Sequence, residues 1–247
     1  MELSTRGYEV IATARRRETL NELKVAQTLE LDVDSDASVA AALKAAGPVD
    51  VLVNNAGFGV EGAVESVPLA DVRAMFETNF FGAARMIQAF VPDMRERGTG
   101  TVVNVTSTAG IASPPLGGYY AASKFALEAL SEALHLEARH FGVRVVVIEP
   151  GFIDTRFGEN VVDHRAERGP YEELGRLWQE ASARLNGDEA PPGPELVAAV
   201  IANALESERA QLRWPVGNDA EMVAAARQGM TYDDFEAAMR QVLALDW

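Results

Sequence analysis

Tyr120 and Lys124 stand four residues apart in a segment of strongly helical pattern, 119–140, so their side chains share one face. A free tyrosine ionises near pH ~10 and is a poor acid or base at neutrality. An ammonium nearby favours the phenolate and brings proton transfer within reach of neutral pH. Taken alone, Tyr-x-x-x-Lys is a common spacing and reads as readily as a surface pair. Ser107, in VTSTAG, lies just past a candidate strand, where a hydroxyl can hydrogen-bond a carbonyl or alcohol at the mouth of a sheet. It also reads as a turn serine. Asn54-Asn55-Ala56-Gly57 follows another strand, and its small residues let a ligand approach the backbone, unless it is a plain turn. Asn79 sits inside a helical stretch, an unfavourable place for Asn. It either bonds a backbone carbonyl and distorts the helix or is simply tolerated there.

These residues need a scaffold. Strand candidates at 8–14, 29–33, 50–54, 101–106, 144–149 and 211–216 alternate with helical patterns at 18–25, 35–46, 69–95, 119–140 and 194–207. Two weaker helices end the chain. Gly47-Pro48 stops one helix, and Pro92 is expected to kink or end another. Strands apolar on both faces and separated by helices predict an α/β fold with a doubly wound parallel sheet, Rossmann-like. Ligands bind such sheets at the carboxyl ends of the strands, here the loops after Ala14, Asn54, Thr106 and Glu149. The expected organisation is one domain over 1–247, with a substrate lid at about 156–192 and a C-terminal helical extension at about 218–247. The lid mixes Phe157, Tyr171, Leu174, Leu177 and Trp178 with many charges. An apolar alcohol or carbonyl is the expected substrate, with packing of the lid onto the sheet as the plain alternative.

In order and spacing, NNAG at 54–57, Asn79, Ser107, Tyr120-x-x-x-Lys124 and PGFIDT at 150–155 resemble the marks of the short-chain dehydrogenase/reductase family. The resemblance runs from residue 1 to about 216. It implies an oxidoreductase that interconverts an alcohol and a carbonyl by hydride transfer with a nicotinamide cofactor. By that resemblance Tyr120 is the acid/base, Lys124 lowers its pKa and binds the nicotinamide ribose, Ser107 orients the carbonyl or alcohol, and Asn79 supports a proton relay. Tyr119, five from Lys124, fits the register less well. Asn54, Ala56 and Gly57 would border the cofactor, and Pro150, Gly151, Ile153 and Thr155 would form the nicotinamide-contacting turn. Asp32-Val33 matches the adenine-contacting pair. Where NAD sites usually place an acid, after the strand at 8–14, this chain has Arg15 and Arg16. Guanidinium groups suit a 2′-phosphate, so NADP is expected over NAD; the alternative is two solvated arginines opening a surface helix.

The family's glycine-rich T-G-x-x-x-G-x-G turn has no counterpart before the opening MELSTRG, which reads as the tail of the family's first helix with Gly7 at its stop. The expectation is a sheet without its first strand and phosphate loop. A start assigned to an internal methionine, a truncation, and an inactive remnant acting as a binding or scaffold protein all remain open.

Bulk properties narrow the rest. With 247 residues, 48% hydrophobic, the chain can bury one large core. A net charge of -15, spread along the chain, argues against nucleic acid. No cysteine is present, and His135, His140 and His164 form no metal-spaced pair, so no metal is expected. Neither a signal peptide nor a membrane span is legible, and a cytoplasmic location is expected. A homo-oligomer paired through the long helices at 69–95 and 119–140 is plausible by the resemblance.

Overall fold

The computed structural model describes residues 1–165, 169–185 and 190–244. A short helix α1 (Glu2–Thr5) ends where Gly7 takes φ +90° and the Tyr8 amide donates to the Leu3 carbonyl at 3.0 Å. Strands β1 (Ile11–Ala14) and β2 (Gln27–Glu30) follow. Between them lies only a 3₁₀ turn, Arg17–Leu20, where the charge-rich sequence suggested a helix over 18–25. That segment buries no side chain, so no packed face supports an α-helix there. Helix α2 (Asp36–Ala46) is capped by the Ser35 side chain, which accepts from the Ser38 amide. Next come β3 (Val51–Asn54), the short β4 (Val60–Glu61), α3 (Leu69–Phe76) and, after a π-helical turn at Glu77–Gly82, α4 (Ala83–Arg97).

Pro92 does not end α4. It lies on the exposed side of the helix, as does Gln88, whose carbonyl loses its partner, while Phe90 and Met94 on the other side are buried. Core packing there outweighs one solvated carbonyl. The remaining elements are β5 (Gly100–Val105), α5 (Gly118–Ala138), β6 (Val143–Pro150), β7 (Val162–Asp163), α6 (Glu172–Leu185), α7 (Pro194–Glu206), β8 (Arg213–Val216), α8 (Asn218–Gly229) and α9 (Tyr232–Val242).

Every pairing among the described residues is parallel. Four strands form one sheet in the order β3-β5-β6-β8, and β1-β2 form a separate pair. No ladder joins β1 to β3 among the described residues. The sheet is covered on both faces, as uniformly apolar strands require. On one face Leu52, Val102 and Val145 meet Met86, Phe90 and Met94 of α4 together with Val39 and Ala42 of α2. On the other, Val103, Val105, Val146 and Ile148 meet Ile201 and Ala204 of α7, with Leu3 of α1 beside them.

The β1-β2 pair is held to this body mainly by side chains. Leu31 and Val33 join the α2–α4 core, Arg85 donates to the Val33 carbonyl at 3.0 Å, and Thr78 donates to Asp34 at 2.9 Å. In the lid region β7 pairs with β4, Val60 opposite Val162, and α6 follows. Residues 166–168 and 186–189 of the expected lid, and 245–247 of the C-terminal extension, lie outside the described residues.

Candidate active site

The carboxyl ends of β3, β5 and β6 open on one continuous cleft of about 2410 Å³. That is well beyond the ~300–1,000 Å³ of a small-molecule pocket, because the same space runs on between β1 and β3, which no ladder joins among the described residues. Its walls include Arg16, Val33, Asn54, Ala56, Gly57, Ser107, Tyr120, Lys124, Pro150, Gly151, Ile153 and Thr155. Three of the expected catalytic and cofactor-binding residues are not part of the wall. Arg15 is exposed elsewhere, Asp32 accepts from the Asp34 amide at 3.1 Å in its own loop, and Asn79 lies one layer below.

Helix α5 carries Tyr120 and Lys124 on one face, with the Lys124 ammonium 5.8 Å from the Tyr120 ring centre. Lys124 is buried and donates to the Val105 carbonyl at 3.0 Å, next to the end of β5. Burial pulls its pKa down to about 8, against the pull of Glu128 one turn further on. Part of Tyr120 is accessible from the cleft, yet the walls strip enough water to push its hydroxyl up to about 12. Hydrogen bonding to Ser107 opposes that rise, and the Glu61 carboxylate adds to it. Desolvation outweighs the other influences on the phenol, and the Lys124 ammonium is turned to a backbone carbonyl.

Ser107 follows β5 after one intervening residue, Thr106. Its hydroxyl accepts from the Ala109 amide at 3.1 Å, which caps the 3₁₀ turn Thr108–Gly110 and holds the serine in place. Tyr119, by contrast, donates its hydroxyl to the Val64 carbonyl at 3.0 Å and packs against the Val60–Met75 cluster.

Asn79 occupies the π-helical turn, so an asparagine inside a helix does mark a local distortion. Its carboxamide accepts from the Phe58 amide at 3.0 Å and donates to the Phe58 carbonyl at 2.9 Å and to Ser123 at 3.0 Å. It thereby pins the loop that follows NNAG. A side chain on Gly57 would come within 3.0 Å of Asn79 Oδ1, so the glycine lets the loop lie flat against it. Asn54 is tied across the sheet: it donates to Asn104 at 2.8 Å, and Asn104 donates to Ser131 at 2.8 Å.

Sequence reasoning missed Ser123, Asn104 and Ser131, polar residues on strands and helices with no motif to announce them. It also missed Glu61, whose carboxyl is raised by burial against the pull of Arg165. Phe157, placed only in the lid, packs on the Tyr120 ring with centres 5.7 Å apart.

The wall fits the nicotinamide end of a dinucleotide. Lys124 Nζ makes one hydrogen bond among the described residues and has further N–H donors, and Gly57 and Gly151 expose backbone. Among the described residues no group of three or more acidic, His or Cys side chains is arranged to hold a metal. No described helix is long and apolar enough to cross a membrane.

A family profile described as short chain dehydrogenase matches residues 1–166. The uncharacterized oxidoreductase YbbO of Escherichia coli is 37% identical over 227 residues, covering 87% of this chain and 79% of that protein. Human 17-beta-hydroxysteroid dehydrogenase type 1 is also 37% identical over 227 residues, covering 85% of this chain and 69% of that protein. Among solved structures, a short-chain dehydrogenase from Streptomyces avermitilis superposes with a TM-score of 0.82 at 34% identity, over 100% of this chain and 92% of that one. A Burkholderia phymatum short chain dehydrogenase/reductase in complex with NAD gives 0.72 at 26% identity, over 95% and 88% of the two chains. A Burkholderia cenocepacia short chain dehydrogenase in complex with NADP shares the fold, at 0.75 and 24% identity over 98% and 89%.

Proposed function

This chain belongs to the short-chain dehydrogenase family, and from that premise we propose that it interconverts an alcohol and a carbonyl, with Tyr120 as the acid/base and NADP(H) as the preferred cofactor. The observation that carries this reading is the set of Tyr120, Lys124 and Ser107, enclosed together where β5 and α5 meet. A scaffold protein would have no use for a lysine buried to 4% exposure at the mouth of a sheet.

A bound nicotinamide dinucleotide supplies or accepts the hydride. The chain's own residues do the rest. Ser107 hydrogen-bonds the substrate oxygen beside Tyr120. With its hydroxyl raised to about 12, Tyr120 is protonated at neutral pH and is set to donate its proton to an alkoxide forming there. Lys124, held by the Val105 carbonyl, would offer its remaining N–H donors to the nicotinamide ribose. Asn54 at the end of β3 with Ala56 and Gly57 just beyond it, and Pro150, Gly151, Ile153 and Thr155 at and after the end of β6, line the cleft where they would border the nicotinamide, while Arg16 would face the 2′-phosphate and Val33 the adenine. Phe157 lies over Tyr120 and excludes water from the proton transfer.

On this reading the substrate is an apolar alcohol or ketone of moderate size. Phe152, Trp178, Met222, Met230 and Phe235 continue the cleft wall beyond Phe157, a run of aromatic and pliable thioether side chains. The relationship to a hydroxysteroid dehydrogenase supports the same class. The test is a scan of secondary alcohols and ketones with NADP(H), followed by Tyr120→Phe. Loss of turnover by at least about a hundredfold, with nucleotide binding retained, is expected for a lost acid/base. Undiminished turnover in Tyr120→Phe would overturn the assignment.

A further inference from the structure

The turn that leaves β6 is gripped from a part of the chain far from any motif. The Gly151 amide donates to the Val216 carbonyl at 3.0 Å, and the Phe152 amide donates to Asp219 Oδ2 at 2.8 Å. These two bonds tie the turn to the end of β8 and the first turn of α8. Asp219 is 9% exposed. Its carboxylate fills the space where a side chain on Gly151 would stand: a Cβ there would lie 2.1 Å from Oδ2 and 2.2 Å from Oδ1. On its other side is Gly217, with φ +102° and a virtual Cβ only 2.7 Å from Oδ1. Two glycines thus clear room for one buried carboxylate. The opening turn of a helix is a favourable place for an anion, which helps offset its desolvation.

We propose that Asp219 is a positioning residue for the reaction, a clamp that fixes the turn at 150–155 so that its backbone meets the nicotinamide in one geometry. The proposal rests on the reading above that this turn borders the cofactor. It gives α8 a part in cofactor placement without any contact between Asp219 and the reacting atoms. Loop conformations in which Gly151 swings toward β8 are closed off by the carboxylate, and those in which it swings away break the Phe152 bond.

The test uses the full chain and four variants: D219A, D219N, G151A and the double variant G151A/D219A. Amide exchange at Phe152 is read in the free protein, the NADPH dissociation constant by fluorescence, and KM and kcat separately. In D219A the Phe152 amide should exchange about tenfold faster or more, and NADPH should bind about tenfold more weakly, as expected for loss of a hydrogen bond to a charged acceptor. D219N can accept the same bond through its amide oxygen, and both readouts should stay within about threefold of the parent. G151A alone should weaken NADPH, and removing the carboxylate should recover part of that loss, since the clash partner is gone. The proposal is overturned if D219A lowers only the melting temperature while exchange and NADPH affinity are unchanged, or if the effects of G151A and D219A simply multiply. Failure of the parent to bind any nicotinamide nucleotide would sink the functional reading instead, and Phe152 exchange would still decide whether the clamp exists.

Discussion

Replacing Glu149 with Gln should make the protein more stable above neutral pH and leave it nearly unchanged in acid. Glu149 closes β6 with 1% of its surface exposed. Its Oε1 lies 3.2 Å from Arg213 Nε yet makes no hydrogen bond. The same guanidinium already donates to Glu128 at 3.0 Å and pairs with Glu132. Burial first, and repulsion from Glu128 second, push the Glu149 carboxyl from its ordinary 4.5 up to about 7, against the pull of Arg213. A carboxyl with a raised folded-state pKa contributes stability that is fully present below the unfolded value and is lost as the pH rises through the folded value. The window here runs from about 4.5 to about 7. Across it the parent should lose about 3 kcal/mol relative to E149Q, taking ~1.4 kcal/mol per tenfold change in proton affinity. Urea unfolding of both proteins at pH 5 and pH 8 measures the difference directly. If the two stability profiles run parallel across that range, Glu149 is not held in its acid form by its surroundings, and the account of this cluster is wrong.

Other outcomes follow from single contacts. Arg16→Ala should weaken NADPH by about tenfold relative to NADH, as for one charged phosphate contact, whereas Arg15→Ala should be nearly neutral; paired titrations check this. Asn79→Ala leaves both backbone groups of Phe58 without their partner and should cost about 2 kcal/mol or more in chemical denaturation. Gly82→Ala drives a methyl to within 2.7 Å of Val33 Cγ2, so it should destabilise the protein and loosen the β1-β2 pair, visible as faster amide exchange at 27–31. Tyr119→Phe removes only a hydroxyl bonded to the Val64 carbonyl and should leave turnover near the parent's, in contrast to Tyr120→Phe.

Much of this architecture was legible in sequence where one physical demand dominates. The valine runs of β5 and β6 are apolar on both faces because helices cover both, and their strands emerge within a residue of the expected bounds. Tyr120 and Lys124 share a face because a 21-residue helix carries them. Elsewhere two effects compete, and sequence does not say which wins. Pro92 opposes helix, but the burial of Phe90 and Met94 carries α4 past it. The stretch after Arg16 favours helix by composition and has nothing to pack on. The apolar run at 29–33 reads as strand, while the ladder to β1 selects Gln27–Glu30. Nothing in the sequence singled out Asp219 within the C-terminal extension expected from about 218. That its carboxylate turns toward Gly151, some seventy positions earlier in the chain, is a property of the packed β6-β8 pair.

The division of the sheet has a mechanical consequence. A hydrogen-bonded ladder transmits displacement stiffly from strand to strand, whereas helix-on-helix contacts slide. Force applied to the β1-β2 pair reaches the rest of the protein through α2 against α4, and through the grip of Arg85 on Val33 and Asp36. Tyr120, Lys124 and Ser107 stand on a different, stiff platform, the β3-β5-β6-β8 sheet with α5 laid across it. If Arg16 reads the nucleotide and Tyr120 moves the proton, as proposed, the two tasks rest on separately held parts of the fold.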